Sequence, residues 1–293
     1  MNYWVLRLAS QIAQRLPERV CYSVAILLSN LAWLLMRAKR EVALENMTRV
    51  LGRADRRDPV VRKKVREAFR YYGLYLADFL RLPSMNPEKM DRKFKFSGWD
   101  QIDKALEAGK GVIFISAHVG NWDLGAAAFA RRYPLSVVAE TFHPKKVNDL
   151  VQGYREHVGM KVIPLENAAR KVLGALKKNE ILGLLIDRPS PEAGVGVRFF
   201  GRDTEVPAGA ALLALKTGAQ LISGITVRNP DHTFSGFVTS HLDVELTGEL
   251  ATDIGILTQR IMDSLESLIR QYPEQWFIFR QMWPEDASAD ACS

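Results

Sequence analysis

The sequence predicts an α/β protein: a mixed, largely parallel sheet flanked by helices, with an N-terminal helical, membrane-anchoring segment in front of it. Three observations carry that expectation. Before position 82 the apolar residues recur every three to four places, the period of an amphipathic helix. From position 111 onward, short β-rich runs alternate with helical stretches, as they do when parallel strands need crossover helices. Charge divides the chain in the same way, because residues 1–70 hold 15 Lys/Arg against 6 Asp/Glu while residues 71–293 hold 25 against 27. We therefore expect a basic, membrane-associating helical segment at 1–81 and an α/β domain at 82–293. With 293 residues and 47% hydrophobic content, the chain can bury a large core.

The first helix is expected over residues 3–16, where Trp4, Val5, Leu8, Ile12 and Leu16 share one side and Arg7, Gln11, Gln14 and Arg15 the other; Pro17 ends it. An uncharged run follows at 20–36, seventeen residues bracketed by Arg19 and by Arg37, Lys39 and Arg40. A spanning helix needs about 20 apolar residues, so three readings stand: an interfacial anchor, a single span, or a buried core helix. A cleaved leader is not expected, since Arg7, Pro17 and Glu18 interrupt the start and no small-residue cleavage site follows. Residues 41–81 read as further helices separated by the charged turn RADRRDP. Arg62, Lys63, Lys64 and Arg66 suit either a solvated helix face or phospholipid contact.

After the Pro-containing stretch 82–90, strands are expected at 111–116, 135–140, 161–164, 180–187 and 219–227, with helices at 122–133, 144–158, 166–178, 207–217 and 250–272. In open parallel sheets, ligands gather beyond the carboxyl ends of strands. His118 stands just after the first of these strands, in ISAHVGNWDLG, and Asp123 opens the next helix. Folded back, that spacing lets the carboxylate orient one imidazole nitrogen and leaves the other free for a substrate, giving a general base. The plainer alternative is an acid placed to suit a helix N-terminus. Amides around Val119 to Asn121 are candidates for an oxyanion hole.

The histidines show no HExxH or other close ligand spacing, and the two cysteines, Cys21 and Cys292, lie far apart, so neither a metal nor a cofactor is expected and a reducing cytoplasmic setting fits. There is no GxSxG run either, which points away from a serine nucleophile. A basic membrane- or nucleic-acid-binding protein is the non-enzymatic alternative. Nucleic acid is not expected as a partner, because the basic excess sits beside the apolar run and not on the α/β body.

Four segments together, AHVGNWDLG, GLLIDR (183–188), VRFFGRDTEVPAG (197–209) and YPEQWFIFRQMW (272–283), resemble the bacterial lipid A biosynthesis acyltransferases, within the glycerolipid acyltransferases marked by HxxxxD/E. The likeness covers nearly the whole chain. It implies an O-acyltransferase that moves a fatty acyl chain from an acyl-carrier-protein or acyl-CoA thioester to a hydroxyl of a membrane glycolipid, most directly a lipid A precursor. It also implies His118 as base with Asp123 as its partner, and no acyl-enzyme. Asn121, Glu140, Arg155, Asp187, Arg188, Phe200 and Gly201 are the implied substrate-side residues; the alternatives are a structural ion pair for Asp187 and Arg188, a buried salt bridge for Glu140 and for Arg155, and packing of the loop or the acyl channel for Phe200 and Gly201. Arg188 suits a phosphate or sugar phosphate, which a guanidinium grips bidentately. The implied location is the cytoplasmic face of a bacterial inner membrane, on anionic lipid. Asp at 123, in HVGNWD, is more similar to the branch that acylates phosphatidylinositol mannosides, and the FRQMW ending departs from the His-Arg-Arg-Trp ending of many lipid A enzymes, so a phosphatidylinositol mannoside or a lysophospholipid is the alternative acceptor. Three basic pairs, Arg131/Arg132, Lys145/Lys146 and Lys177/Lys178, suit either solvated helix ends or the docking of an acidic carrier protein.

Overall fold

A computed structural model describes residues 2–190 and 194–283. It begins with four helices, α1 (Tyr3–Arg15), α2 (Glu18–Leu35), α3 (Arg37–Val50) and α4 (Pro59–Arg81). Asn2 caps α1, and Asp58 caps α4 just ahead of Pro59, where the missing amide costs nothing. The helix α5 (Pro87–Lys93) leads into β1 (Phe94–Ser97), α6 (Trp99–Glu107), β2 (Val112–Ser116), α7 (Trp122–Ala130) and β3 (Leu135–Ala139). Then come α8 (Lys145–His157), β4 (Lys161–Pro164), α9 (Ala168–Lys177) and β5 (Ile181–Leu185). A hairpin of β6 (Gly194–Phe199) and β7 (Arg202–Pro207) precedes α10 (Gly209–Thr217), β8 (Gln220–Arg228), β9 (Phe234–His241) and α11 (Leu250–Gln271).

Among the described residues, seven strands form one sheet in the order β1-β9-β8-β2-β5-β3-β4. Every neighbouring pair is parallel except β8 with β9, which a short turn joins as an antiparallel hairpin. This is the mixed, mostly parallel architecture that the alternation of runs predicts. The central strands read VIFIS, ILGLL and QLISGITVR because helices cover both of their faces. One large cluster on the sheet gathers Ile113, Ile115, Leu182, Leu221 and Ile225 with residues of α11 and with Leu44, Met47, Val61, Val65 and Phe69 from α3 and α4. The basic helices at the start of the chain thus share the core of the sheet.

The expected elements at 111–116, 135–140, 161–164, 180–187 and 219–227 are present within a residue or two. The sequence pattern did not reveal β1, β9 or the β6–β7 hairpin. β1 is four residues at a sheet edge and β9 alternates weakly, so neither carries the apolar run of a central strand. The hairpin turns at Phe200 and Gly201, both in the left-handed region (φ 50 and 75), where a phenylalanine is unexpected.

The α1 and α2 helices are apolar on the outside. Trp4, Val5, Leu8, Ile12 and Leu16 of the first and Val24, Leu27, Leu28, Leu31, Leu34 and Leu35 in the region of the second are exposed. The opposite face of α2, with Tyr22, Ala25 and Ser29, packs on α4. At their crossing Gly73 is required, since a Cβ there would overlap Ser29 Oγ.

Candidate active site

The register of the sheet builds the site. Parallel β2 and β5 pair Ser116 with Leu185, so the residues two beyond each strand, His118 and Asp187, come level at the carboxyl end. Asp187 Oδ1 lies 2.7 Å from His118 Nδ1, and Oδ2 accepts the His118 backbone amide at 2.9 Å and the Trp276 indole N–H at 2.8 Å. Asp187 is fully buried. Burial pushes its carboxyl up, but the imidazole charge, the two hydrogen bonds from His118 and the one from Trp276 outweigh that and hold it below the ordinary carboxylate value. With Nδ1 engaged, His118 Nε2 is left without a hydrogen-bond partner among the described residues. The side chain keeps 10% of its surface open.

The expected contact between His118 and Asp123 is not formed, and Asp187 stands in its place. Between the two motif residues the backbone turns at Gly120 (φ 62), which bridges to Thr226 and could not carry a Cβ without overlapping the Thr226 carbonyl. Asn121 then caps α7 by accepting the Leu124 amide at 3.0 Å. Asp123, the second residue of that helix, faces α4 and α8. Its Oδ1 takes Arg155 Nε at 2.7 Å, and its Oδ2 takes Arg155 Nη2 at 3.3 Å and the Tyr75 hydroxyl at 2.7 Å. Burial lowers and the Asp123 carboxylate raises the Arg155 guanidinium, with a net rise; Tyr75 is pushed far up by burial and then by the same carboxylate.

The proposed oxyanion amides are also spent. Val119 N–H donates to Ala117, Gly120 N–H to Gln275 and Asn121 N–H to Thr226, at 2.7, 2.8 and 2.8 Å. The Asn121 side chain is committed as well: its oxygen caps α7 and its nitrogen donates to Asp78 at 2.7 Å. Arg188 Nη1 donates to Glu140 Oε1 at 2.8 Å, and both side chains are partly exposed. Partial burial raises Glu140, but Arg188 first, then Arg280 and His118, bring it below its ordinary value. Phe200 is buried beneath Trp276 at 5.9 Å between ring centroids, next to the fully buried Phe199. Phe200 and Gly201 therefore form the turn that backs the indole.

Aromatic rings surround the imidazole. Trp122 meets the His118 ring at 5.0 Å and lies tilted against Tyr75 at 4.1 Å, and Tyr72, Phe277 and Phe279 extend the cluster. Trp276 and Tyr75 escape a reading of single motifs. A lone indole in the aromatic block YPEQWFIFRQMW does not announce a carboxylate partner 89 positions away. Of the basic pairs, Arg131, Arg132 and Lys145 are paired with Asp91, Asp103 and Asp149. Among the described residues no group of three His, Cys, Asp or Glu is placed to hold a metal ion. Cys292 lies outside the described residues, and Cys21 is buried in α2.

A family model for the bacterial lipid A biosynthesis acyltransferases matches residues 1–285. Phosphatidylinositol mannoside acyltransferase of Mycobacterium tuberculosis (strain CDC 1551 / Oshkosh) is 31% identical over 254 residues, which are 83% of this chain and 77% of the relative. The protein of the same name from Mycolicibacterium smegmatis (strain ATCC 700084 / mc(2)155) is 30% identical over 253 residues, 83% of this chain and 79% of the relative.

Proposed function

We propose, from the premise that this chain belongs to the bacterial lipid A biosynthesis acyltransferase family and is an acyltransferase, that it transfers a fatty acyl group from a carrier thioester to a hydroxyl of a membrane glycolipid, with His118 as base. The observation that carries this reading is the buried Asp187 on Nδ1 with Nε2 unpartnered. A carboxylate there keeps the proton on Nδ1, leaving the Nε2 lone pair to take the acceptor's hydroxyl proton. The hydroxyl oxygen then attacks the thioester carbonyl, the C–O bond forms, the C–S bond breaks, and the leaving thiolate takes the proton back from Nε2. Asp187, in place of Asp123, orients the ring and stabilises its charged form. Arg188, 33% exposed beside Glu140, suits a phosphate on either substrate.

A mannosylated phosphatidylinositol is the acceptor favoured by the names of the relatives and by Asp at 123. A lipid A precursor is the second reading, favoured by the family description. Acyl carrier protein or coenzyme A carries the donor. Incubating the detergent-solubilised protein with both donors and each acceptor, and weighing the lipids by mass spectrometry, decides among them. An acceptor heavier by one acyl group, absent with His118→Ala, is expected; equal product from the variant removes His118 from the base role.

Residues 1–81 supply the membrane-associating part in this reading and 82–293 the transfer chemistry, on the cytoplasmic face of the bacterial inner membrane. The exposed apolar faces of α1 and α2 support seating in the interface, and the packing of α2 on α4 favours a helix lying on the membrane over one crossing it. Trp33, Arg62, Lys63, Arg66, Glu67 and Arg70 line a cleft of about 340 Å³ beside α2, whose four cations against one carboxylate suit anionic headgroups. Leu31→Asp with Leu35→Asp should release the protein from anionic vesicles in flotation; unchanged flotation places the contact elsewhere.

A further inference from the structure

A second buried network, with no part in the proton transfer, joins α2 to the turn that carries His118. Asp78 of α4 is 2% exposed. It accepts the Tyr22 hydroxyl at 2.7 Å and Asn121 Nδ2 at 2.7 Å, and it pairs with the Arg228 guanidinium. That guanidinium lies over the rings of Tyr22 and Phe234, at 4.8 and 4.7 Å from their centroids. An apolar pair of the same volume would commonly be as stable as such an ion pair, so stability alone does not account for it.

What the pair holds is the turn. Asn121 uses its nitrogen on Asp78 and its oxygen to start α7, three residues from His118. Arg228 is clamped through its backbone by Gln275, whose side chain accepts the Arg228 amide at 2.8 Å and donates to its carbonyl at 2.9 Å. The Gln275 carbonyl in turn takes the Gly120 amide at 2.8 Å. Two sides of the turn are thus referred to one carboxylate. Tyr22 sits on the buried face of α2, the helix whose other face is apolar and exposed.

We infer that Asp78 is a positioning residue that sets His118 through Asn121, and that Tyr22 makes this setting depend on how α2 is seated. The inference rests on His118 being the base. Removing a fixed support for a reacting group costs rate through small displacements, on the order of tenfold to a hundredfold, without weakening donor binding.

The experiment compares kcat, KM for the donor and Tm of the full chain for Tyr22→Phe, Asn121→Asp, Asp78→Asn, the exchanged double variant Asp78→Asn/Asn121→Asp, and His118→Ala. Tyr22→Phe keeps the ring and loses only the hydroxyl. Asn121→Asp keeps a good helix cap but sets two carboxylates face to face. The expected result, at a temperature where every variant stays folded, is a kcat lowered about tenfold or more in each of the three single variants of this network with KM near the original; Tm stays near the original in Tyr22→Phe and falls in Asp78→Asn and Asn121→Asp, which disturb the buried charge of Arg228 and Asp78. The exchange, which restores a donor facing a carboxylate, should recover part of the loss. Original kcat in Tyr22→Phe and Asn121→Asp, with His118→Ala inactive, overturns the positioning role and leaves the base standing. Rate losses that only track the folded fraction, or an exchange no better than its parents, also overturn it. Activity in His118→Ala removes the base and the inference with it.

Discussion

Two buried carboxylates flank the turn after β2, and they face different partners. Asp187 meets an imidazole, an indole N–H and a backbone amide. Asp123 meets a guanidinium and a phenol. An imidazole can gain and lose a proton near neutral pH, so the carboxylate beside it can stabilise a charge that appears only during reaction. A guanidinium is always charged, so Asp123 has a permanent partner and fixes the relative placement of α4, α7 and α8. The chemistry of a carboxylate here follows from what it faces, and its place in a motif does not settle it.

Substitution of each carboxylate by its amide separates them. Asp187→Asn should lower kcat by about 10² to 10⁴-fold, because the amide stabilises no imidazolium and can present the wrong hydrogen-bonding partner to Nδ1. Near-original kcat in that variant would remove Asp187 from the orienting role. Asp123→Asn leaves the Arg155 guanidinium buried without its counter-charge, and breaking such a pair costs about 3–5 kcal/mol. Chemical denaturation should show that loss, with a smaller fall in kcat at temperatures where the protein stays folded. A kcat loss as large as that of Asp187→Asn, with stability intact, would sink the structural assignment.

A smaller effect is expected with pH. The folded Asp187 carboxyl titrates below its ordinary value of 3.8. Its contribution to stability is therefore complete above that value and is lost as pH falls through the lower, folded one. The Tm difference between the original protein and Asp187→Asn should be full near neutrality and shrink only in strong acid. A difference that grows on acidification would mean the opposite shift.

Much of this architecture was legible in the residues. The amphipathic start, the apolar central strands and the alternation after position 111 dictated the helices and the central strands of a mostly parallel sheet, because burial periodicity is a local property. His118 was legible too, as a histidine just beyond the end of a largely apolar strand. Its partner was not. Asp187 lies in the same kind of position after its own strand, ILGLL, but only the adjacency of β2 and β5 brings the two together. Strand order is a matter of tertiary packing, and sequence separation says nothing of it. Likewise Asp78, a single acid in the apolar run YLADFLRL, signals a buried charge but not whose. The sequence by itself determined which faces are apolar, where the chain turns and which side chains can do acid–base chemistry, since these depend on neighbours in the chain. The tertiary structure alone decided that Asp187 meets His118, that Arg155 claims Asp123, and that Tyr22 reaches the site turn through Asp78. Each of those contacts joins segments tens of residues apart, and only the pairing of the strands and the docking of α4 against the residues at the carboxyl ends of the central strands fix their distances.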